Sequence, residues 1–309
     1  MKTSFSKNQI TLGLLVLVVI ASGCTDTGGG GEVDYTQSQG ITVEEFSAFP
    51  NTAMSGTQVQ LNTRVKNTGG ATANAVELTI FNIPAEAWGT SDFSIGQPIT
   101  LAGTLRGPDR ESNVPASPVS QTLSMTAPDL DGGVVIPYDI MGRLSFEYET
   151  TGVTQIQVMG EQRWQENQPS RGTPSVDNTG GPIQISVNTK SPIILFDGSS
   201  TANQLCVQVE NVGNGEAMLP AAADPDNKIG LSYNSQSSDI TLTQSTNAQT
   251  VNGDVAVPLT NNGAGTTCYS IEASGDDTDL QTTIPVTFTA DYTYEKEVET
   301  SVTVQGNSP

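Results

Sequence analysis

Few residues in this chain are equipped for chemistry, and their types exclude more than they admit. There is no histidine among the 309 residues. That removes a His-based triad, a His general base and any His-ligated zinc or haem. The reactive side chains left are three cysteines, Cys24, Cys206 and Cys268, and an excess of carboxylates. Three acid clusters stand out: Asp129-Leu130-Asp131, Asp224-Pro225-Asp226 and Asp276-Asp277-Thr278-Asp279. Calcium takes several oxygens from loops of this kind, which makes Asp276, Asp277 and Asp279 the candidate ligands. None of the clusters has the EF-hand spacing with its closing Glu, and solvated loop charge is the plainer reading. Paired carboxylates also serve glycosidases, but here they fall on loops and outward strand faces, with no insertion to form a pocket. No Gly-rich phosphate loop, metal-ligand spacing or Ser-centred elbow is present. The expectation is a protein without catalysis and without a cofactor.

One stretch has the composition of a binding hot spot. Pro84 to Pro118 reads as a long loop carrying Trp88, Phe93, Arg106 and Arg110, large aromatics beside guanidinium groups. It is the first place to look for a partner, although Trp88 and Phe93 packing over the end of a domain accounts for the same residues. Nucleic acid is an improbable partner, since 12 Lys+Arg against 33 Asp+Glu give a net charge of −21 that phosphate repels.

The N-terminus reads as an address. Lys2 and Lys7 precede the apolar run Ile10 to Ala21, too short to span a bilayer comfortably and suited to a signal-peptide core. It ends in Ala21-Ser22-Gly23-Cys24, which resembles the lipobox of exported lipoproteins. The resemblance implies a signal peptide over 1–23, cleavage before Cys24 and a diacylglycerol on the Cys24 thiol. Two acyl chains suffice for stable anchoring. An ordinary signal peptide with a chance Cys, or an uncleaved anchor, are the alternatives. The Gly-rich stretch that follows, within 24–39, reads as a flexible tether.

These elements need a scaffold, and the remainder of the chain supplies two copies of one. Leu61 to Gly70 aligns with Leu205 to Asn214, Ile136-Pro137 with Ile284-Pro285, Phe146-Glu147-Tyr148-Glu149 with Tyr292-Thr293-Tyr294-Glu295, and Val158-Met159-Gly160 with Val304-Gln305-Gly306. The blocks keep their order, which makes this an internal repeat. It divides the chain into 40–160 and 182–309, with 161–181, rich in polar residues and ending in Gly-Gly, as a linker. Trp164 within it is expected to pack against the base of a neighbouring domain. In both copies apolar residues alternate with polar ones: Val59, Leu61, Thr63, Val65; Leu144, Phe146, Tyr148; Leu205, Val207, Val209; Tyr292, Tyr294. Such alternation, bounded by Gly, Asn and Pro, marks half-buried strands. The fold class is all-β, two tandem β-sandwiches with no convincing amphipathic helix.

A strand ending in Val-x-Asn-x-Gly, Val65-Lys66-Asn67-Thr68-Gly69 and Val209-Glu210-Asn211-Val212-Gly213, resembles the CARDB-type immunoglobulin-like domains of prokaryotic surface proteins. The resemblance implies a tight turn at Asn and Gly, with Gly supplying a positive φ, and an adhesive or spacer role. The second copy departs from it after Gly215, where Ala217-Met218-Leu219-Pro220 replaces a regular third strand. Alternation turns Cys206 and Cys268 outward, on the second and fifth strands, which neighbour each other in an immunoglobulin-like sheet. An exported location permits a cross-strand disulfide there; two free thiols or a two-Cys metal site are the alternatives. The first copy has Asn62 and Thr122 at the matching places.

No Asn-x-Ser/Thr acceptor occurs, so N-glycosylation of that type is absent from the expected surface. The high ratio of acid to base suits solubility in high salt and leans towards an archaeal surface. The expected protein is extracytoplasmic, membrane-anchored through the lipid on Cys24, and displays its sandwiches for adhesion or for binding a protein or glycan at the surface. A subunit of a self-assembling coat or filament is the alternative. A solute-binding lipoprotein ranks lower, since its strand–helix alternation is missing.

Overall fold

The computed structural model describes residues 39–109, 111–196, 203–219, 227–237, 240–244, 249–251, 253–273 and 280–307. The expected signal peptide, Cys24 and nearly all of the expected tether, together with Arg110, Asp224, Asp226, Asp276, Asp277 and Asp279, lie outside these residues. The first repeat forms β1 (Ile41–Phe49), β2 (Thr52–Met54), β3 (Gln58–Asn67), β4 (Ala73–Phe81), β5 (Gly89–Thr90), β6 (Pro98–Leu105), β7 (Val119–Thr126) and β8 (Val135–Gly160). A short helix, α1 (Glu161–Asn167), and β9 (Val176–Asn178) follow. The second repeat forms β10 (Ile183–Val187), β11 (Ile193–Leu195), β12 (Gln204–Asn211), β13 (Glu216–Met218), β14 (Lys228–Ser235), β15 (Ile240–Gln244), β16 (Thr250–Val251), β17 (Asp254–Pro258), β18 (Ala264–Ala273) and β19 (Gln281–Gln305). The fold is all-β, and the described residues contain no helix long and apolar enough to cross a membrane.

Two four-stranded sheets, β1-β3-β7-β5 and β10-β12-β18-β15, each cover one end of a single eleven-stranded sheet. The eleven-stranded sheet exists because β8 and β19, 26 and 25 residues long, pair antiparallel along their whole length, from Gln281↔Met159 to Gln305↔Val135. The N-terminal half of β8 lies beside β4 and completes the first sandwich. Its C-terminal half pairs with β9 and β11 and lies over the second. Likewise β19 starts beside β14 and ends paired with β2 of the first repeat.

In an immunoglobulin-like sandwich the last two strands form a hairpin within one domain. Here that hairpin has opened into one straight strand in each repeat, and the last strand of each repeat completes the other repeat's sandwich. Burial follows the exchange. Val302 and Val304 of β19, at 1% and 0% exposure, belong to the core of Val59, Leu61, Leu123, Met125 and Ile140 in the first repeat. Ile156 and Val158 of β8 sit with Ile183, Ile185, Leu205 and Val207 of the second.

The division expected at 160/182 therefore follows the sequence repeat but not the sheets. The segment expected to be a plain linker is built into the molecule. α1 lies against the ends of β8 and β11, with Trp164 half-buried, and β9 pairs with Gly152–Thr154. Pro84 to Pro118 is likewise no simple loop, because β6 pairs with β4 along the sheet edge.

The pairing has a centre. Equivalent positions of the repeats, Glu147 and Thr293, face each other in register, so the two copies are related by a pseudo-twofold axis through this pair. Around it Phe146, Tyr148, Tyr292 and Tyr294 form a ring cluster. Phe146 and Tyr294 have centroids 5.7 Å apart, and Tyr148 and Tyr292 6.1 Å. Such rings contribute roughly 0.5–1.5 kcal/mol per pair beyond their burial.

The Val-x-Asn-x-Gly motif has the same job in both copies. Asn67 Nδ2 donates to the carbonyls of Ala71 (2.8 Å) and Leu105 (2.7 Å), while its Oδ1 accepts from Gly69 N–H at 3.0 Å. Asn211 Nδ2 donates to Gly215 O at 2.8 Å and its Oδ1 accepts from Gly213 N–H at 3.1 Å. A tyrosine from the central pair locks each turn. Tyr148 Oη accepts from Ala71 N–H (3.0 Å) and Tyr294 Oη from Gly215 N–H (2.7 Å). Gly69 and Gly213 do not have the positive φ expected of them. What demands glycine is proximity: a Cβ on Gly69 would overlap the Tyr148 hydroxyl, and one on Gly213 the Tyr294 hydroxyl.

Candidate functional site

Outward-facing residues of β8 and β19 create an acidic groove beside the pseudo-twofold axis. The alternation that buries Tyr148 and Tyr292 turns Glu147, Glu149 and Asp291 to the opposite face, and Glu149 sits directly across from Asp291. On the other flank of Asp291 is Gly230 of β14. With no side chain there, Asp254 at the head of β17 leans over the strand; a Cβ on Gly230 would lie 3.4 Å from Asp254 Oδ2. Asn74, Leu219 and these four acids line a pocket of about 310 Å³. Both repeats contribute to it, so it exists only because the strands are exchanged.

Burial is the first cause, and the carboxylates of Glu149 and Asp254 the second, that push Asp291 up to about 6. Burial also raises Asp254. Like charges in a half-dry groove disfavour ionisation of the most enclosed member. The groove can thus hold a proton at mildly acidic pH and attract cationic groups above it. Across the axis, Arg143 instead answers a second pair of outward acids. It contacts Glu297 (3.1 Å) and Glu295 (3.5 Å) and lies 5.1 Å from the centre of the Phe81 ring. Among the described residues, no three acidic or cysteine side chains are grouped to hold a metal ion.

The residues singled out in the sequence do not meet at this groove. Cys206 and Cys268 face each other in register between β12 and β18, joined by a disulfide on the outer face of the sheet. Cys206 N–H donates to Thr189 Oγ1 at 2.7 Å and its carbonyl accepts from Asn188 N–H at 2.9 Å. Its backbone groups thus point away from β18, and Cys206/Cys268 is a non-hydrogen-bonded pair, where facing side chains come closest. In the first repeat Asn62 and Thr122 face each other in the same way, and Thr122 Oγ1 donates to Asn62 Oδ1 at 2.9 Å.

Of the two readings of Pro84 to Pro118, Trp88 follows the packing one. It is 2% exposed and stands edge-on to Tyr138 with centroids 5.4 Å apart, while half-buried Phe93 packs on the same core. These rings plug the end of the first sandwich. Arg106 is exposed without them. Asp129 accepts a hydrogen bond from Ser55 Oγ at 3.4 Å, and Asp131 is exposed nearby.

Sequence reasoning missed Asp254 and Asp291. In the sequence Asp291 stands among the threonines of the first half of β19, and its partners become neighbours only through strand pairing, Glu149 across the repeats and Asp254 over Gly230 of β14.

No family model matches the chain, and no curated protein is similar to it at a significant level. Among solved structures, the secreted serine protease VesC from Vibrio cholerae aligns with 85% of this chain at 9% identity and a TM-score of 0.22. The chain spans about half of that protein's length, 51%. A likeness at this level carries no argument about fold or activity.

Proposed function

We propose that this chain is a non-catalytic binding and display module of the cell surface. In this reading a lipid on Cys24 anchors it to the outer face of the membrane, and its immunoglobulin-like sandwiches, of the CARDB type, engage another surface component. The observation that carries the reading is the acidic groove at the repeat junction. Four carboxylates from both repeats line it, and no basic side chain stands among its described lining residues. Charge of one sign focused in a concave site selects partners of the other sign and speeds their encounter. The ligand class that fits is a protein surface with Lys or Arg at its centre.

The lipobox-like Ala21-Ser22-Gly23-Cys24 and the Gly-rich tether support the anchor. Charge reversal tests the groove: Glu147→Lys with Glu149→Lys should abolish cross-linking of the protein to its neighbours on intact source cells. Unchanged cross-links would count against it. Cys24→Ser should release the protein from the membrane fraction.

A second reading, a subunit of a self-assembling coat or filament, is favoured by one observation: each sandwich already accepts a strand from outside its own repeat. The purified soluble chain would then polymerise on concentration, whereas a display module stays monomeric.

A further inference from the structure

The parts that complete each other are joined in sequence by a single short segment. The chain up to α1 and the chain from β9 onward meet through the β8–β19 ladder, through β9 and β11 on β8, and through β2 on β19. Between them runs 168–175, in which every residue but Pro169 and Pro174 is exposed. Gly172 and Ser191 exchange backbone hydrogen bonds of 3.0 and 2.8 Å, and Arg171 Nη2 donates to Lys190 O at 3.2 Å. Ser175 O accepts from Thr154 Oγ1 at 2.8 Å where β9 begins.

The turn at the head of this segment runs against local preference. Gln168 closes α1 in the left-handed region, with φ 42° and ψ 52°, and its N–H donates to Trp164 O at 2.8 Å. Pro169 follows directly, and a proline drives the residue before it towards extended backbone. The chain therefore leaves α1 by a bend that a straight path would relieve. Short connections under strain are where two copies of a protein exchange parts.

We infer that 168–175 is a hinge and that the partner it serves is a second copy of this chain: the part up to α1 of one molecule closes with the part from β9 onward of the other, and the reverse. Such a dimer keeps every strand pair of the single chain, because each body still holds one of each part. Only the bonds of Arg171 and Gly172 to Lys190 and Ser191 are given up. What decides between the two forms is the path of the hinge and the concentration. A short connection holds its ends at an effective concentration of about millimolar. Dilute copies therefore fold closed on themselves, and crowded copies exchange. Either form is then locked, since conversion means opening β8 from β19 along all 25 residues of β19. A folded single chain stays monomeric on concentration, which separates this dimer from a coat subunit. In the dimer each acidic groove is built from two molecules, with Asn74, Glu147 and Glu149 from one and Asp254 and Asp291 from the other. The inference stands whether or not the groove takes a ligand; where it does, the dimer binds it twice.

The test is the full chain carrying Cys24→Ser and a protease site in place of 170–173, which leaves Gln168 and Pro169 unaltered. Labelled and unlabelled copies are mixed, unfolded without reductant, and refolded together at about 1 μM and at about 1 mM, below and at the effective concentration of the hinge. Gel filtration should show monomer at the lower concentration and a substantial dimer at the higher. Cleavage at the hinge should turn the dimer into bodies of monomer size, and native mass spectrometry should find bodies that hold one labelled and one unlabelled piece. No dimer at the higher concentration would overturn the inference. So would a dimer that keeps its size after cleavage, since that contact lies on the folded surface. The chain as cells make it, without refolding, gives an independent reading. Deleting 170–173 outright shortens the hinge to Gln168, Pro169, Pro174 and Ser175, and the product should be mostly dimer where the parent chain is monomer. A monomeric, folded deletion product would overturn the inference.

Discussion

Ile156→Ala separates the exchanged arrangement from two self-contained sandwiches. Ile156 is encoded by the first repeat, is 0% exposed and faces Ile284 in register within the core of the second sandwich. The substitution deletes three buried carbons, worth about 0.8 kcal/mol each in transfer free energy. The cavity left behind adds to that, so a loss of about 3 kcal/mol is expected, within the range of about 2–5 for Ile→Ala. At about 1.4 kcal/mol per decade, amides protected by opening of the second sandwich should exchange about 100-fold faster. The assay is hydrogen exchange read by mass spectrometry on peptides from β12 and β18, against peptides from β3 and β7. The exchanged-strand account places the larger acceleration in β12 and β18. Acceleration confined to β3 and β7, in the repeat that encodes Ile156, would refute it.

Four further outcomes follow from the same geometry. Replacing both Cys206 and Cys268 by Ser should cost about 2–4 kcal/mol, because the bridge closes a loop of 62 residues in the unfolded chain; Asn62→Ala at the matching place should cost no more than about 1 kcal/mol, both read by denaturant unfolding. Asn211→Ala removes the hydrogen bonds that hold the turn to Gly213 and Gly215 and should lower stability by about 2–3 kcal/mol, while Gly213→Ala should be worse still, since nothing but a shift of Tyr294 or Pro182 makes room. Asp291 binds its proton more tightly in the folded state, with a pKa of about 6 against 3.8, so its ionisation weakens the fold as pH rises from about 4 to 6 and the penalty then stays constant. Asp291→Asn should therefore stabilise by on the order of 1 kcal/mol at pH 7, after allowance for screening of a half-exposed group, and by nothing near pH 3; a gain at low pH alone would contradict the sign. Trp88→Ala should cost about 3–5 kcal/mol through the cavity it leaves and leave any surface binding of the folded protein unchanged, as measured by cell cross-linking at a temperature where the variant is folded.

Much of the scaffold is legible in the sequence because sandwiches are built from local regularities. The alternation at Leu61-Val65 and Leu205-Val209 marks the strands, and the repeat places them in pairs. The strand exchange was harder to see, since a repeat says which segments are alike and not which of them pair. A signal was nevertheless present. From Ile136 to Val158, and from Ile284 to Val304, the inward register never changes phase, and neither stretch carries the Asn-Gly or Asp-Gly pair that a hairpin demands. An opened hairpin is what remains. β6 went unread because Pro98 opens it and Ala102 and Gly103 blur its alternation. The groove at Asp291 was not legible at all, because Glu149, Asp254 and Asp291 are brought together by pairing across some 142 residues of chain between Glu149 and Asp291. In the turn motif the residue types were read correctly and the cause was not: glycine is needed for the closeness of a tyrosine hydroxyl, a long-range fact, and not for its own φ.

The central claim is that the repeats complete each other, and cutting the chain between them tests it most directly. A protease site placed in the exposed segment between Gln168 and Ser175 would be cleaved in the folded protein, and the product passed through gel filtration without denaturant. The account predicts that both pieces elute together at the position of the intact chain and separate only in denaturant. Two folded halves eluting apart would contradict it.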